Sequence, residues 1–445
     1  MSRLSPAEII VLDRAHVWHP FTQAQTAPDP VVIERGAGVS LFEPDGREWL
    51  DLVSSWWVNL HGHGHAGIAE AIAAQARTLE HVIFAQITHR PAAELSARLA
   101  AALPAGLERV FFSDNGSTAI EVAMKAALQL HRNQGQNQRQ RFLAFDGGYH
   151  GDTVGAMSAG VSSGFFNAWT EMLFPVDVLD LPTTWIGDDA VEAKEAAALA
   201  ALDQHLAACG EQIVAAIIEP LVQGASGMRM HRAGFLKQAA ERLRAAGVLV
   251  IFDEVMTGFG RTGAVFACQE VGFSPDFLCL SKGLTGGFLP MALTITTPAV
   301  YEAFLDPSVE KAFLHGHSYT ANPLGCAAAL ASLDLTLSAD CTAQRQRIER
   351  HHRAALAELA DLPMVCQPRV QGTIAALTIR MPDGPNGKGG YTSPLGAQLT
   401  ASFRQDGLLL RPLGNVVYML PPYCISDEQL KRGWQGIRRA LLALR

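Results

Sequence analysis

The sequence predicts an α/β fold with a large domain built on a mostly parallel sheet and a smaller, discontinuous α+β domain. Short apolar runs, typical of buried strands, alternate with helical patterns between residues 108 and 296, and this alternation indicates βα units. Residues 369–445 instead mix short strands with helices. We therefore expect a large domain over residues 61–330 and a small domain made of residues 1–60 and 331–445.

Composition places the chain among globular proteins. Its 445 residues are enough for more than one domain, and 49% of them are hydrophobic against 18% charged. The net charge of −8 argues against a nucleic-acid surface, and no stretch has the length and apolarity of a membrane span. The N-terminus lacks the apolar core of a signal peptide, and the seven cysteines are scattered without a CxxC pair. We expect a cytoplasmic protein with reduced thiols and no metal site.

A lysine at the end of an apolar run is the first candidate for chemistry. Residues 277–280 predict a buried strand, and Ser281 and Lys282 follow it before glycines break the pattern. Because a buried ammonium is costly, the pKa of such a lysine falls and its amine becomes a nucleophile for a carbonyl carbon. Taken alone, a lysine that leaves the strand into solvent is the more common explanation.

A second buried run, residues 248–252, ends in Asp253. If both runs are parallel strands, their carboxyl ends lie along one edge of a sheet and bring Asp253 near Lys282. The aspartate could then pair with the ring nitrogen of pyridoxal phosphate, the lysine could hold its aldehyde, and the cofactor would act as an electron sink. As an alternative of about equal weight, Asp253 caps the turn or helix after the strand.

A turn at the start of a helix offers a phosphate site. The predicted strand at residues 109–113 is followed by Gly116 and Ser117 and then by a helix. Free backbone N–H groups at the positive end of a helix suit a phosphate. Thr118 and Glu121 fit a capping box, and simple helix capping explains the same residues.

Two further loops could contact a cofactor. Glycines surround Tyr149 after the run at residues 142–145, so its ring could stack on a flat ligand, although an ordinary surface turn has about equal weight. The loop that contains Gly316, His317 and Ser318 offers a hydroxyl and free amides for a second phosphate contact, or it is an ordinary linker.

Tryptophans and an arginine are candidates for a substrate pocket. Trp56 and Trp57 point opposite ways if their segment is extended, so that one enters the core and the other faces a cavity; two core tryptophans are the alternative. Arg411 follows an apolar run, and arginine is the usual two-pronged binder of a carboxylate. A surface ion pair is the commoner use of a lone arginine.

Other motifs suggest other functions. Residues 258–263 match G-x-G-x-x-G after a strand and raise a nicotinamide-dependent oxidoreductase, but the acidic residue expected about 20 positions later is absent and Lys282 would be unexplained. Alternating histidines at residues 61–65 invite a metal site, yet a turn that leads into a helix is favoured. A non-catalytic binding or scaffold protein is the third alternative, and it would need none of Asp253, Tyr149 and Lys282 at strand ends.

Residues 253–263 and 281–283 resemble the corresponding stretches of class III pyridoxal-phosphate aminotransferases, and the similarity runs over nearly the full length. The resemblance implies the PLP-dependent transferase fold (fold type I), pyridoxal 5′-phosphate as cofactor and a homodimer with both sites at its interface. Within the family, it favours enzymes of biotin biosynthesis that convert 8-amino-7-oxononanoate to 7,8-diaminononanoate with S-adenosyl-L-methionine as amino donor. The other diagnostic stretches are residues 18–22, 54–57, 81–84, 87–89, 149–152, 223–230 and 418–423.

The resemblance also implies a role for each candidate residue. Lys282 binds the cofactor's aldehyde and moves the proton between substrate and cofactor. Asp253 pairs with the pyridine nitrogen, and Tyr149 stacks near the ring. The other implied roles are phosphate binding by Gly116 and Ser117 and, from the other subunit, by Gly316, His317 and Ser318, pocket formation by Trp56 and Phe21, and carboxylate binding by Arg411.

Two positions depart from the family pattern. His317 and Ser318 stand where the family usually has Pro-Thr, and the serine keeps the hydroxyl for the phosphate. Phe21 stands where the family has a substrate-contacting tyrosine, and relatives with phenylalanine there include enzymes that use lysine as the donor. The alternatives are therefore the same reaction with lysine, or another class III enzyme that acts on a different ω-amine.

Overall fold

The computed structural model describes residues 4–381 and 393–444. Within these ranges the strands form a seven-stranded sheet and three smaller sheets. The strands are β1 (Arg35–Ala37), β2 (Ser40–Phe42), β3 (Glu48–Asp51), β4 (Arg109–Ser113), β5 (Arg141–Phe145), β6 (Asp177–Leu179), β7 (Ile213–Ile218), β8 (Val222–Gln223), β9 (Arg229–Met230), β10 (Leu249–Asp253), β11 (Phe277–Leu280), β12 (Ala292–Thr296), β13 (Val365–Gln371), β14 (Ile374–Ile379), β15 (Leu408–Leu409) and β16 (Val416–Met419).

Helices surround these sheets, and several begin at a polar side chain that accepts a backbone N–H of the first turn, which stabilises the helix start. The α-helices are α1 (Pro6–His16), α2 (Ser54–Trp57), α3 (Ala66–Thr78), α4 (Arg90–Ala102), α5 (Gly116–Asn133), α6 (Val154–Ala159), α7 (Val191–Cys209), α8 (Ala233–Ala245), α9 (Ala267–Val271), α10 (Pro298–Glu302), α11 (Pro323–Leu337), α12 (Ala339–Leu359), α13 (Pro394–Gln405) and α14 (Asp427–Leu442).

The seven-stranded sheet positions the candidate site. Its order is β4-β12-β11-β10-β7-β5-β6. β12 runs antiparallel to both of its neighbours, and the other pairs are parallel. Every residue of β7 and β11 is buried, which explains their continuous apolar sequence. The prediction of a mostly parallel sheet is confirmed.

The two ends of the chain meet in a second sheet. β2 and β3 form an antiparallel hairpin, and β15 from the C-terminal part pairs in parallel with β3. A third sheet combines β13, β14 and β16 in antiparallel order. Segments that precede and follow the large sheet in the sequence are therefore neighbours in space.

In the described ranges, no single helix is long and apolar enough to cross a membrane. α11 and α12 pass that test only when they are taken together, and they are bent by 67°. α11 packs against α3 and α4.

The turn between β13 and β14 presses against the segment that follows β10. Gly372 has a φ of +55°, and a Cβ there would lie 2.4 Å from the carbonyl carbon of Thr262 and 2.6 Å from the carbonyl oxygen of Arg261. The N–H of Thr373 donates to that carbonyl oxygen at 2.9 Å. Glycine permits both the left-handed backbone and the close contact.

Replacing Gly372 by alanine should destabilise the protein more than the same change at Gly38. Gly38 has nearly the same φ, +56°, but a Cβ there would meet no atom within 4 Å. Each variant puts alanine into left-handed backbone at about 1–2 kcal/mol. Only Gly372→Ala adds overlap with backbone atoms, which costs about 1–3 kcal/mol more. Thermal unfolding should show Gly372→Ala melting at least about 2 °C below Gly38→Ala, and equal melting temperatures would contradict the steric argument.

Candidate active site

A cavity of about 670 Å³ lies at the carboxyl edge of the large sheet. β4, β5, β10 and β11 run in the same direction, so the residues that follow them project from the same edge. Five of the residues that the sequence predicted to bind the cofactor line this cavity: Gly116, Ser117, Tyr149, Asp253 and Lys282.

Lys282 follows β11 with a left-handed backbone, at a φ of +43°. Such a conformation costs about 1–3 kcal/mol for a residue with a side chain and is typical of functional positions. Burial lowers the pKa of Lys282, while the charges of Asp253 and Glu219 act in the opposite direction. Its Nζ lies 4.7 Å from the centre of the Trp57 ring. The amine is therefore closer to its neutral, nucleophilic form than a surface lysine.

Asp253, the last residue of β10, is oriented by His150. Nδ1 of His150 lies 2.7 Å from one carboxylate oxygen, and the N–H of Val255 donates to the other at 3.0 Å. Burial alone would lower the pKa of His150, but the hydrogen bond and charge of Asp253 outweigh it and raise this pKa. This contact favours the charged form of the imidazole, in which both ring nitrogens donate. The sequence analysis missed His150, although it directly follows Tyr149.

Glu219 is a second residue that the sequence analysis missed. It follows β7 and lines the cavity. Its two carboxylate oxygens accept the N–H groups of Tyr149 and Gly224, each at 3.0 Å. Burial raises the pKa of Glu219 to about 7; the charge of His150 opposes this shift and that of Asp253 adds to it. The signal in the sequence was an acid at the end of a buried run, as for Asp253.

The start of α5 differs in detail from the prediction. The side chain of Asn115 caps the helix and accepts the N–H of Thr118 at 3.1 Å. The predicted capping box of Thr118 and Glu121 is therefore wrong, because the helix already begins at Gly116. Glu121 instead accepts the hydroxyl of Thr153 and the N–H of Gly155, each at 2.6 Å, and so joins α5 to the start of α6.

Gly116 and Ser117 bring the positive end of α5 to the cavity. A Cβ on Gly116 would lie 2.6 Å from Cγ1 of Val255, so a larger residue would push the helix away from β10. The hydroxyl of Ser117 accepts the N–H of Thr153 at 2.9 Å. The first N–H groups of a helix have no partner within it, and with the helix dipole they suit an anion such as a phosphate.

The ring of Tyr149 lines the cavity and belongs to an aromatic cluster. It stacks on Phe166 with 5.9 Å between ring centres and meets Phe165 edge-on at 5.8 Å. Its hydroxyl donates to Asp152 at 3.0 Å. Burial is the main cause that raises the pKa of Tyr149, so the phenol stays neutral. Its predicted stacking on a ligand stays a prediction.

The tryptophan pair lies in a kinked turn and not in the extended segment that the sequence analysis assumed. Ser54, Ser55 and Trp57 all have positive φ, so the chain bends sharply. Trp57 is buried, lines the cavity and donates from Nε1 to the hydroxyl of Tyr418 at 2.9 Å. Trp56 is 41% exposed. The two rings do separate, but the one in this cavity belongs to Trp57.

Trp56, Phe21 and Arg411 come together next to the aromatic cluster of Tyr149. The Arg411 guanidinium lies 4.4 Å from the Trp56 ring centre and 5.9 Å from that of Phe21. Phe21 meets Trp56 edge-on at 5.7 Å. Phe165 links this group to Tyr149, because its ring also meets Phe21 at 6.4 Å. The structure thus joins three residues that are far apart in sequence.

The loop with Gly316, His317 and Ser318 does not line the cavity within the described part of one chain. Nδ1 of His317 lies 3.0 Å from a carboxylate oxygen of Asp114, which precedes α5. The predicted phosphate contact across two subunits stays a prediction.

The glycine-rich motif at residues 258–263 has a structural role in the core. Its residues lie in turns and open no helix. Arg261 is buried, and its guanidinium donates to the carbonyl oxygens of Pro421 at 2.9 Å and Asn59 at 3.0 Å. The nicotinamide alternative therefore lacks the strand-turn-helix geometry that it requires.

The cavity suits pyridoxal phosphate in three respects. A helix start without a side chain at Gly116 fits the phosphate, the carboxylate of Asp253 fits a protonated ring nitrogen, and the lysine amine fits an aldehyde. All three groups line the same cavity, and its volume is typical of a site for a small molecule.

Comparison with known proteins agrees with this chemistry. Residues 21–441 match the family described as aminotransferase class-III. An adenosylmethionine-8-amino-7-oxononanoate aminotransferase of Synechococcus elongatus is 56% identical over 416 residues, which cover 94% of this chain and 96% of that protein. The crystal structure of the enzyme of the same name from Methanocaldococcus jannaschii has a TM-score of 0.91 and 32% identity, and covers 98% of this chain and 99% of its own. An amine transaminase from an uncultivated Pseudomonas species, in PLP-bound form, has a TM-score of 0.88 and 30% identity, with 96% and 98% covered. These matches confirm the predicted transaminase fold and cofactor.

Gly116→Ala should weaken binding of pyridoxal phosphate, because the new methyl group displaces the start of α5 from Val255. We expect the dissociation constant to rise by about tenfold or more, measured by titrating cofactor-free protein. Gly135→Ala, just beyond the other end of α5, would meet no atom within 4 Å and is the control. Adding Val255→Ala to Gly116→Ala should restore most of the affinity, and failure of this rescue would contradict the proposed contact.

Proposed function

Because the chain belongs to the class-III aminotransferase family, we propose that it transfers the amino group of S-adenosyl-L-methionine to the ketone of 8-amino-7-oxononanoate. The product is 7,8-diaminononanoate, an intermediate of biotin biosynthesis. The chain is a pyridoxal-phosphate-dependent aminotransferase. The observation that carries the proposal is the convergence of Lys282 and Asp253 on one cavity.

Different residues of the cavity would hold different parts of the cofactor. Asp253 would pair with the ring nitrogen, and the start of α5, with Gly116 and Ser117, would hold the phosphate. Tyr149 would cover the ring, and Lys282 would hold the aldehyde end. When bound, pyridoxal phosphate supplies an aldehyde for amines and an electron-withdrawing ring that stabilises negative charge on the adjacent carbon.

The Nζ atom of Lys282 is the proton carrier in this proposal. Its pKa is lowered by burial, so the amine can accept a proton from the substrate carbon and return it. His150 acts indirectly, because its Nδ1 lies 2.7 Å from one carboxylate oxygen of Asp253 and so orients the carboxylate. Trp57 packs against the lysine amine at 4.7 Å and limits the access of water from that side.

The ends of the chain would form the substrate mouth. We retain the division into a large domain over residues 61–330 and a small domain made of residues 1–60 and 331–445. The pairing of β15 with β3 supports it, because this contact joins the two terminal segments. The large domain then carries the cofactor residues, while Phe21, Trp56 and Arg411 of the small domain contact the substrate.

A homodimer in the cytoplasm completes the proposal. The segments 81–87 and 314–319 both carry exposed apolar side chains. They contact each other, since the rings of His81 and Tyr319 lie 5.3 Å apart. Burying these segments between two subunits would bring Gly316, His317 and Ser318 of one chain to the phosphate of the other. The cytoplasmic assignment rests on the seven cysteines, all of which are unpaired. The exposed apolar residues of the segments are Ile83, Ile87, Leu314 and Tyr319.

The amino donor can be identified by offering each candidate alone to the holoenzyme. S-adenosyl-L-methionine should convert the cofactor to its amine form and bleach its colour, whereas lysine should not. Lys282→Ala serves as the control and should lose turnover by at least about a thousandfold. A response to lysine alone would favour the alternative raised by Phe21, which lacks the tyrosine hydroxyl, and a response to neither donor would contradict both.

Arg411→Lys should weaken binding of the carboxylate substrate while leaving the chemistry intact. Lysine keeps the charge but loses the two-pronged geometry and the stacking on Trp56 at 4.4 Å. We expect KM for 8-amino-7-oxononanoate to rise by about tenfold with little change in kcat. Arg380→Lys, at an exposed position after β14, is the charge-matched control. An unchanged KM would remove Arg411 from the substrate site.

A further inference from the structure

Asp177, His205 and Cys209 bring three metal-binding groups together away from the active site. Nε2 of His205 lies 3.1 Å from Oδ2 of Asp177 and 3.3 Å from Sγ of Cys209. The three atoms all lie within 4.8 Å of one another. In the part of the chain that the structure describes, this is the one group of three His, Cys, Asp or Glu side chains close enough to share an ion.

Two of the ligands are arranged by a single helix. His205 and Cys209 are four residues apart at the end of α7, so they lie on the same face one turn apart. Asp177 begins β6, the edge strand of the large sheet, and faces them from there. The sequence analysis predicted no metal site. This group could not be recognised there, because Asp177 lies 28 residues before His205 and the three residues form no short motif.

The two distances from His205 Nε2 fit one tetrahedral ion, and the third, between Asp177 and Cys209, is below 4.8 Å. With zinc bonds of about 2.0–2.3 Å, donor atoms on neighbouring corners lie about 3.4–3.6 Å apart. The observed 3.1 and 3.3 Å are close to these values. In the present arrangement Nε2 of His205 faces both a carboxylate and a thiol, and the thiol also lies 3.3 Å from the carbonyl oxygen of His205. An ion between the three side chains would bind all of them at once.

Arg141 holds Asp177 from the other side. Its guanidinium contacts both carboxylate oxygens, with Nε 2.9 Å from Oδ2 and Nη2 on Oδ1. Oδ2 therefore already has the Nε of Arg141 as one partner, and an ion would replace His205 as its second partner. Carboxylate ligands in metal sites are usually hydrogen-bonded by such an outer partner.

The cluster lies at the amino ends of the parallel strands, whereas the cofactor cavity lies at their carboxyl ends. α7 leads through residues 210–212 into the amino end of β7, and Asp177 and Arg141 begin β6 and β5. The cavity is at the carboxyl ends of the same parallel strands. A strand of five or six residues spans roughly 17–20 Å, so the two places are chemically independent.

We propose that Asp177, His205 and Cys209 form a zinc site with a water molecule as fourth ligand. The mixture of imidazole, thiolate and carboxylate suits Zn²⁺ better than the hard cations Mg²⁺ or Ca²⁺. On binding, the Cys209 thiol releases its proton to solvent and the neutral Nε2 of His205 gives its lone pair. The carboxylate and thiolate balance the charge of the ion. The side chains of His205 and Asp177 are 22% and 14% exposed, so water and the ion can reach the site.

The test measures zinc binding to holoenzyme that has first been stripped of metals with a chelator. Equilibrium dialysis should give one ion per chain for the unmodified protein. Cys209→Ser should bind at least about tenfold more weakly, and His205→Ala likewise. Cys366→Ser is the matched control, because Cys366 is half-buried like Cys209 but lies on β13, and it should bind as tightly as the unmodified protein.

Alkylation gives a second readout that does not depend on activity. Zinc should protect Cys209 from iodoacetamide, as read by peptide mass mapping, and should leave the rate at Cys366 unchanged. All variants should keep their transaminase activity, since the cluster is remote from the cavity. Zinc binding of equal strength in Cys209→Ser, or alkylation of Cys209 at the same rate with and without zinc, would overturn the proposal.

Discussion

The parallel pairing of β10 with β11 is the constraint on which the active site depends. In this register Asp253 lies opposite Cys279, and Lys282 follows three residues later from the same edge. Both strands are buried in the core, so a shift of one residue would turn every core side chain to the wrong face. Core packing therefore holds the carboxylate and the amine at the same cavity. The left-handed backbone at Lys282 then turns the chain towards Trp57.

Burial acts on the ionisable groups of the cavity in ways that suit amine chemistry. It lowers the pKa of Lys282 and raises that of Glu219, so each is closer to its neutral form than at a surface. His150 is the exception, because the hydrogen bond and charge of Asp253 raise its pKa despite its burial. The contact with His150 orients the Asp253 carboxylate, while burial makes the lysine ammonium easier to deprotonate. The basic groups of one cavity thus have pKa shifts of opposite sign, because their neighbours differ.

The cluster of Phe21, Trp56 and Arg411 has a different origin from the cofactor cavity. Phe21 and Trp56 come from the N-terminal segment and Arg411 from the C-terminal one, and the pairing of β15 with β3 joins these segments. The residues of this cluster can therefore change without change to the residues that line the cavity. This separation is consistent with a family in which one fold serves several amine donors. Phe165, which touches both Phe21 and Tyr149, connects the two regions.

The sequence alone determined the main sheet and the residues that end its strands. An apolar run that stops at an ionisable residue is a local pattern, and it identified Lys282, Asp253 and the turn before α5. Only the tertiary structure decided which partners these residues meet. The contact of His150 with Asp253 spans 103 residues, and the sharp turn that puts Trp57 into the cavity depends on positive φ values that no periodicity reveals. Such features follow from long-range packing and electrostatics, because the side chains involved are not neighbours until the sheet has formed.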